Sequence, residues 1–179
     1  MTTGWSRLRR PIVIVGVCLA LGLILAHQAG LRLNTTHSIP LGLYKMSSDP
    51  IENGVYVLWC PPERPEFDLA KDRGYIGVGF CPGGYGNMMK KVVATYDDVV
   101  SVTDEGVTIN GTLIPASQPF ETDSLGRLLP RFRVTNHVLT PSELLLMSDM
   151  NSRSFDARYF GPVHSAQIQS TIRPLWTWE

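Results

Sequence analysis

Three stretches of the 179-residue chain carry side chains capable of covalent chemistry. The first is Thr35-Thr36-His37-Ser38-Ile39-Pro40-Leu41-Gly42-Leu43-Tyr44 and the second is Met88-Met89-Lys90-Lys91-Val92-Val93. The third runs from Ser148 to Gly161 and includes Ser154, Asp156 and Arg158. A serine hydroxyl is a weak nucleophile at neutral pH and needs a positioned base. Lysine can be that base when burial strips water from its ammonium and lowers its pKa. A serine near an apolar N-terminal segment, a lysine entering an apolar strand and a late polar cluster together predict a membrane-bound serine-lysine peptidase. None of the three carries that reading alone.

Lys90 and Lys91 must have different surroundings if Met89 to Thr95 is a strand, because successive side chains face opposite ways. Periodicity does not say which of them points inward. A Ser-His-Asp arrangement is the competing chemistry. His37 is adjacent to Ser38, so the two side chains diverge in an extended segment, and His137 and His164 stand in no recognisable catalytic context. The glycines of Gly77-Val78-Gly79 and Gly83-Gly84 do not make a phosphate-binding loop, since a strand rather than a helix follows them. No metal site or cofactor is expected.

These residues need a scaffold, and the chain supplies two kinds. Arg7, Arg9 and Arg10 precede an apolar run from Ile12 to Ala26, a positively charged flank and apolar core that direct export and leave the arginines in the cytoplasm. The run falls short of the ~20 residues that span a bilayer, but extends through Leu31 if His27 and Gln28 lie at the interface. An uncleaved anchor and a cleaved signal peptide, with the cut after Ala29, both remain open. Residues 1–30 form this segment and 31–179 the exported domain.

That domain reads as mainly β. Leu31 to Tyr44 is extended or looped, Gly54 to Trp59 is a strand, and Asp68 to Asp72 is one helical turn. Strands follow at Met89 to Thr95, Val99 to Val102 and Gly106 to Ile109. Asn110-Gly111 then predicts a hairpin, because both residues tolerate positive φ. Phe132 to Leu139 and Glu143 to Met147 complete the set. The 16 glycines and 13 prolines suit such a turn-rich fold, and the formal net charge of zero gives no footprint for nucleic acid. Cys18 is a small hydrophobe in the apolar segment. Cys60 and Cys81 can pair outside the cytosol, or remain two buried thiols.

The three stretches resemble blocks of the serine-lysine type I signal peptidases, and more narrowly of the TraF-type conjugal-transfer peptidases. Ser38 to Tyr44 is similar to the nucleophile block, Met89 to Val93 to the lysine block, and Ser148 to Val163 to the C-terminal block. Their order, the membrane topology and the length agree as well. The resemblance implies a signal peptidase-like β-sheet domain behind one membrane helix, Ser38 as nucleophile, Lys90 as general base and Asp156 as a further catalytic residue that holds the site together or orients the lysine, an ion pair with Arg158 or Arg153 being its alternative. Ser154 would hydrogen-bond near the lysine amine. The Ser38 backbone N–H and the Thr36 hydroxyl would receive the oxyanion.

Pro40 lies two residues after Ser38 rather than three, Ser148 stands where a glycine usually opens the last block, and Ala157 replaces a serine. These departures favour the TraF branch. For that branch the resemblance implies a pilin precursor as substrate, matured through an acyl-enzyme with head-to-tail cyclisation. The partners would be the inner membrane and other conjugative transfer proteins, with the catalytic domain in the periplasm. General signal-peptide cleavage and a non-catalytic role in a secretion apparatus are the alternatives.

Overall fold

The computed structural model describes residues 4–178. Met1, Thr2, Thr3 and Glu179, the outer ends of the two expected segments, lie outside the described residues. The first element is helix α1 (Gly4–Gln28), whose 25 residues run about 37 Å at the usual rise, more than the ~30 Å hydrocarbon core of a bilayer. Its apolar stretch covers Pro11–Gln28, longer than the run from Ile12 to Ala26 suggests, and none of it is buried against the rest of the chain. The N-terminal helix is therefore a candidate membrane span or signal sequence. It ends because Gly30 takes a φ of 80°, turning the chain directly into strand β1 (Leu31–Asn34).

The remainder is mainly β, with twelve strands and two short further helices among the described residues. In chain order these are β2 (Gly42–Ser47), β3 (Tyr56–Trp59), α2 (Pro65–Asp72), β4 (Val78–Cys81), β5 (Met88–Ala94), β6 (Val99–Val102), β7 (Val107–Ile109), β8 (Thr112–Leu113), β9 (Val134–Val138), β10 (Glu143–Met147), α3 (Ala157–Phe160), β11 (Val163–His164) and β12 (Ile168–Thr177). One sheet has the order β1-β2-β12-β3-β5-β10-β11 and the other β8-β7-β6-β9, with antiparallel pairing throughout.

Alternation along β3 and β5 divides the large sheet into two faces. Val57, Trp59, Met88, Val92 and Ala94 enter the main core with Phe67, Leu145 and Phe160. Leu58 joins Ile39, Tyr44 and Ile172 in a smaller cluster, against which Tyr56 and Met89 pack. The hairpin at Asn110-Gly111 forms with φ of 50° and 79°, the left-handed pair its tight turn requires.

Strand β12 is the largest departure from the sequence reading. At ten residues it is the longest strand, and it lies between β2 and β3. Pro174 argues against a central strand. The chain accommodates it because pairing with β3 ends at Ile172, so at Pro174 only β2 is bonded and the strand is an edge, just before a register shift at Trp176. The expected turn at Asp68 to Asp72 is the C-terminal half of α2, which starts at Pro65 because proline suits a first helical turn.

Candidate active site

The segment carrying Ser38 is shaped by Asn34, a residue the sequence reading passed over. Asn34 is buried at the end of β1, and its Nδ2 donates to the carbonyls of Thr36 (2.8 Å), Ile39 (2.9 Å) and Pro40 (3.0 Å). Its Oδ1 accepts from the Thr36 N–H at 3.2 Å and the Thr36 hydroxyl at 3.0 Å. One amide thus closes the loop from 34 to 40 around Ser38. The Tyr44 hydroxyl donates to the Pro40 carbonyl at 2.7 Å, and burial pushes that phenol up to about 12. Gly42 is required by close approach: a Cβ there would lie 2.3 Å from the Trp176 carbonyl oxygen.

Strand β5 carries Met88, Lys90, Val92 and Ala94 inward and Met89, Lys91 and Val93 towards the other side. This settles what periodicity left open. Lys91 is half-buried and pairs with Asp149 at 3.1 Å. Lys90 is 1% exposed, and its Nζ donates to Ser38 Oγ at 2.8 Å and to Ser154 Oγ. Ser38 Oγ and Ser154 Oγ are 3.3 Å apart, so the three groups form a triangle. Desolvation lowers the Lys90 pKa to about 8, while the opposing charges of Asp156 and Arg158 act in opposite directions on it.

Ser154 is held by the pair behind it. Asp156 and Arg158 are both buried and joined twice, Nε to Oδ1 at 2.7 Å and Nη2 to Oδ2 at 2.8 Å. Arg158 also donates to the backbone carbonyls of Ser152, Asn151 and Ser154. Asp156 further accepts from the Ser148 N–H at 3.1 Å and caps α3 through the Arg158 N–H. A buried pair of this kind needs all its hydrogen-bonding positions filled, and here it serves as a clamp on residues 148–154. Asp156 makes no hydrogen bond to Lys90 or Ser38. The sequence reading has Asp156 either holding the site together or orienting the lysine, or simply pairing with Arg158 or Arg153, and in the fold its direct partner is Arg158. Ser148, where a glycine is usual, accepts from the N–H groups of Met150 and Asn151.

A cleft of about 280 Å³ opens over Ser38 and Lys90. Its far wall comes from Phe120, Thr122, Asp123 and Leu129 of an irregular segment, and from Arg153 and Tyr159. Arg153 and Tyr159 lie in the C-terminal block, whereas no local signal distinguishes Phe120, Thr122, Asp123 and Leu129, which only tertiary contacts bring near Ser38. Thr36 lines the cleft, but its hydroxyl proton is directed at Asn34. It must rotate away to act as the expected second oxyanion donor. His37 lines the cleft without a hydrogen bond to Ser38, His137 faces Glu143, and His164 caps a turn, so no histidine is placed to serve as base. Among residues 4–178 no cluster of histidine, cysteine or carboxylate side chains is arranged to hold a metal.

Cys60 and Cys81 are joined as a disulfide that ties the end of β3 to the end of β4. Cys18 is free and exposed on α1.

A buried lysine within hydrogen-bond reach of a cleft serine is an arrangement that can activate the hydroxyl for acyl transfer. Residues 7–177 match the family described as signal peptidase, peptidase S26, and the chain belongs to that family. The plasmid transfer protein TraF of Escherichia coli is 54% identical to it over 173 residues, covering 97% of each chain. The conjugal transfer protein TraF of Agrobacterium fabrum is 34% identical over 172 residues, 95% of this chain and 96% of its own. A crystal structure of a signal peptidase I from Enterococcus faecalis aligns with 70% of this chain and 98% of its own at 16% identity and a TM-score of 0.39, too slight a likeness to bear on the site.

Proposed function

We propose that this protein is a membrane-tethered serine endopeptidase of plasmid conjugal transfer, maturing a pilin precursor with Ser38 as nucleophile and Lys90 as general base. The observation that carries the reading is the fully buried Lys90 amine, 2.8 Å from Ser38 Oγ with its pKa lowered to about 8. The role in conjugation is supported by the near full-length similarity to plasmid and conjugal transfer proteins.

Neutral Lys90 takes the Ser38 proton as Oγ attacks the scissile carbonyl. The oxyanion is received by the Ser38 N–H and, after rotation, by the Thr36 hydroxyl. The lysine proton passes to the leaving amine, leaving an ester on Ser38. Water then releases a linear product, or the substrate's own amino terminus attacks and closes the chain. Ser154 accepts from the lysine amine throughout and keeps it aimed.

The domain works on the periplasmic side of the inner membrane, with α1 as its tether. The arginines ahead of the apolar run and the Cys60–Cys81 bond both support export to an oxidising compartment. Incubating a candidate pilin precursor with the full chain and with Ser38→Ala tests the reading by mass spectrometry. Cyclisation predicts a product one water lighter than the cut linear chain, made by the wild type alone. Processing by Ser38→Ala, or an uncut precursor with the wild type, overturns it.

A further inference from the structure

We propose that Arg153 is a specificity residue that binds a carboxylate of the substrate beside the cut. The inference rests on the peptidase reading and specifies which substrates that site selects. Arg153 is adjacent in sequence to Ser154, whose Oγ touches both Lys90 Nζ and Ser38 Oγ, and it lines the same cleft. Its guanidinium lies 4.4 Å from the centroid of the Phe120 ring. Phe120 is itself fixed, since its N–H donates to the hydroxyl of buried Tyr159 at 3.1 Å. The arginine's own backbone N–H is held by Asn151 Oδ1 at 2.8 Å. Arg153 is thus an exposed cation at the cleft rim, its backbone held and its guanidinium resting on the Phe120 ring.

Its charge is also unanswered. Among the described residues no carboxylate lies within ion-pair distance of Arg153. The carboxylate that does line the cleft, Asp123, is already occupied. It pairs with Arg127 at 2.6 Å, accepts from the Tyr75 hydroxyl at 2.5 Å, and takes the N–H groups of Leu125 and Arg127. These bonds, the Tyr75 hydroxyl first, hold the Asp123 carboxyl well below the usual range. Lys90 must be neutral to act as a base. In the active state the cleft thus keeps one uncompensated charge, a planar guanidinium suited to a bidentate carboxylate. The positions tested are those within about three residues of the scissile bond, about 10 Å of extended chain on either side.

An acidic side chain and a free C-terminal carboxylate near the cut offer the same chemistry, and the test separates them. Cut sites are first read by mass spectrometry after the full chain, in detergent micelles, digests a mixed peptide library. Fluorogenic peptides around one site then compare Glu with Gln at each position within three residues, as free acids and as C-terminal amides. For the wild type, kcat/KM should favour the carboxylate-bearing peptide at least tenfold, mainly through KM. The ratio should fall to near one in Arg153→Gln, recover in part in Arg153→Lys, and invert towards Lys-bearing peptides in Arg153→Glu. A Glu effect identifies a side chain, and an amidation effect identifies the chain terminus. An equal ratio in the wild type, or one unchanged in Arg153→Gln, overturns the proposal. Cutting that persists in Ser38→Ala overturns the peptidase reading instead.

Discussion

Lys90 places an amine where water does not reach, and that has two opposite consequences. As a base it works only when neutral, so acylation should rise with pH through a single ionisation near 8. Single-turnover rates measured from pH 6 to 10 would show this; a flat profile would remove Lys90 from the role. For stability, the folded-state pKa lies below the unfolded value of about 10.4, so the buried ammonium opposes folding. That penalty is fully present below about pH 8, shrinks as pH rises towards 10.4, and is absent above. Lys90→Met should therefore be inactive yet more stable at pH 7 by about 2 kcal/mol, after allowing for the hydroxyls it strands. Thermal melts at pH 7 and pH 10.5 check this: the gain should disappear at the higher pH.

Among the elements, the loop between β1 and β2 matters most, because it holds Ser38, the proposed nucleophile, without any ladder of its own. Asn34 supplies the three donations that a strand partner would otherwise provide. Asn34→Ala leaves the buried Ile39 carbonyl without its donor and releases the partly exposed Thr36 and Pro40 carbonyls, and should cost about 2 kcal/mol in stability. Processing should fall by more than the loss of folded protein explains, because Ser38 no longer faces Lys90. A urea titration paired with active-site titration separates the two effects; unchanged turnover per folded molecule would show that the loop holds its shape without Asn34. The Asn-Thr-Thr run before Ser38 has the composition of a side-chain-closed turn, a local signal that identifies Asn34. Strand β12 was less legible, since Pro174 suppresses the usual pattern and only the end of pairing with β3 at Ile172 explains its place.

Across the whole molecule, the disulfide and the proposed membrane tether are the long-range constraints. The Cys60–Cys81 bond closes a loop with a sequence separation of 21 residues that contains α2 and β4. Constraining such a loop stabilises the fold by about 3 kcal/mol in the chain-entropy account. Cys60→Ser/Cys81→Ser should lose that amount in denaturant titrations and lose its response to reductant. On the proposed reading of α1 as a tether, Ser38, ten residues after α1 ends at Gln28, would be held near the helix end and its effective concentration towards a membrane-embedded substrate raised.

The sequence by itself determined the elements and residue types that depend on near neighbours. These are the apolar N-terminal helix, the alternating strand read at Met89 to Thr95 and found one residue earlier, the hairpin at Asn110-Gly111 and the blocks around Ser38, Lys90 and Ser154. The resemblance chooses Lys90 over Lys91 where periodicity does not, but only tertiary structure sets Lys90 against Ser38 and Ser154, puts the Asp156–Arg158 pair behind Ser154, and brings Phe120 to the cleft. The reason is distance along the chain. Ser38 and Lys90 are 52 residues apart, Lys90 and Ser154 are 64 apart, and Ser38 and Ser154 are 116 apart. Contacts over such separations exist only once the sheet has folded, and no local pattern encodes which face of β5 the core will claim.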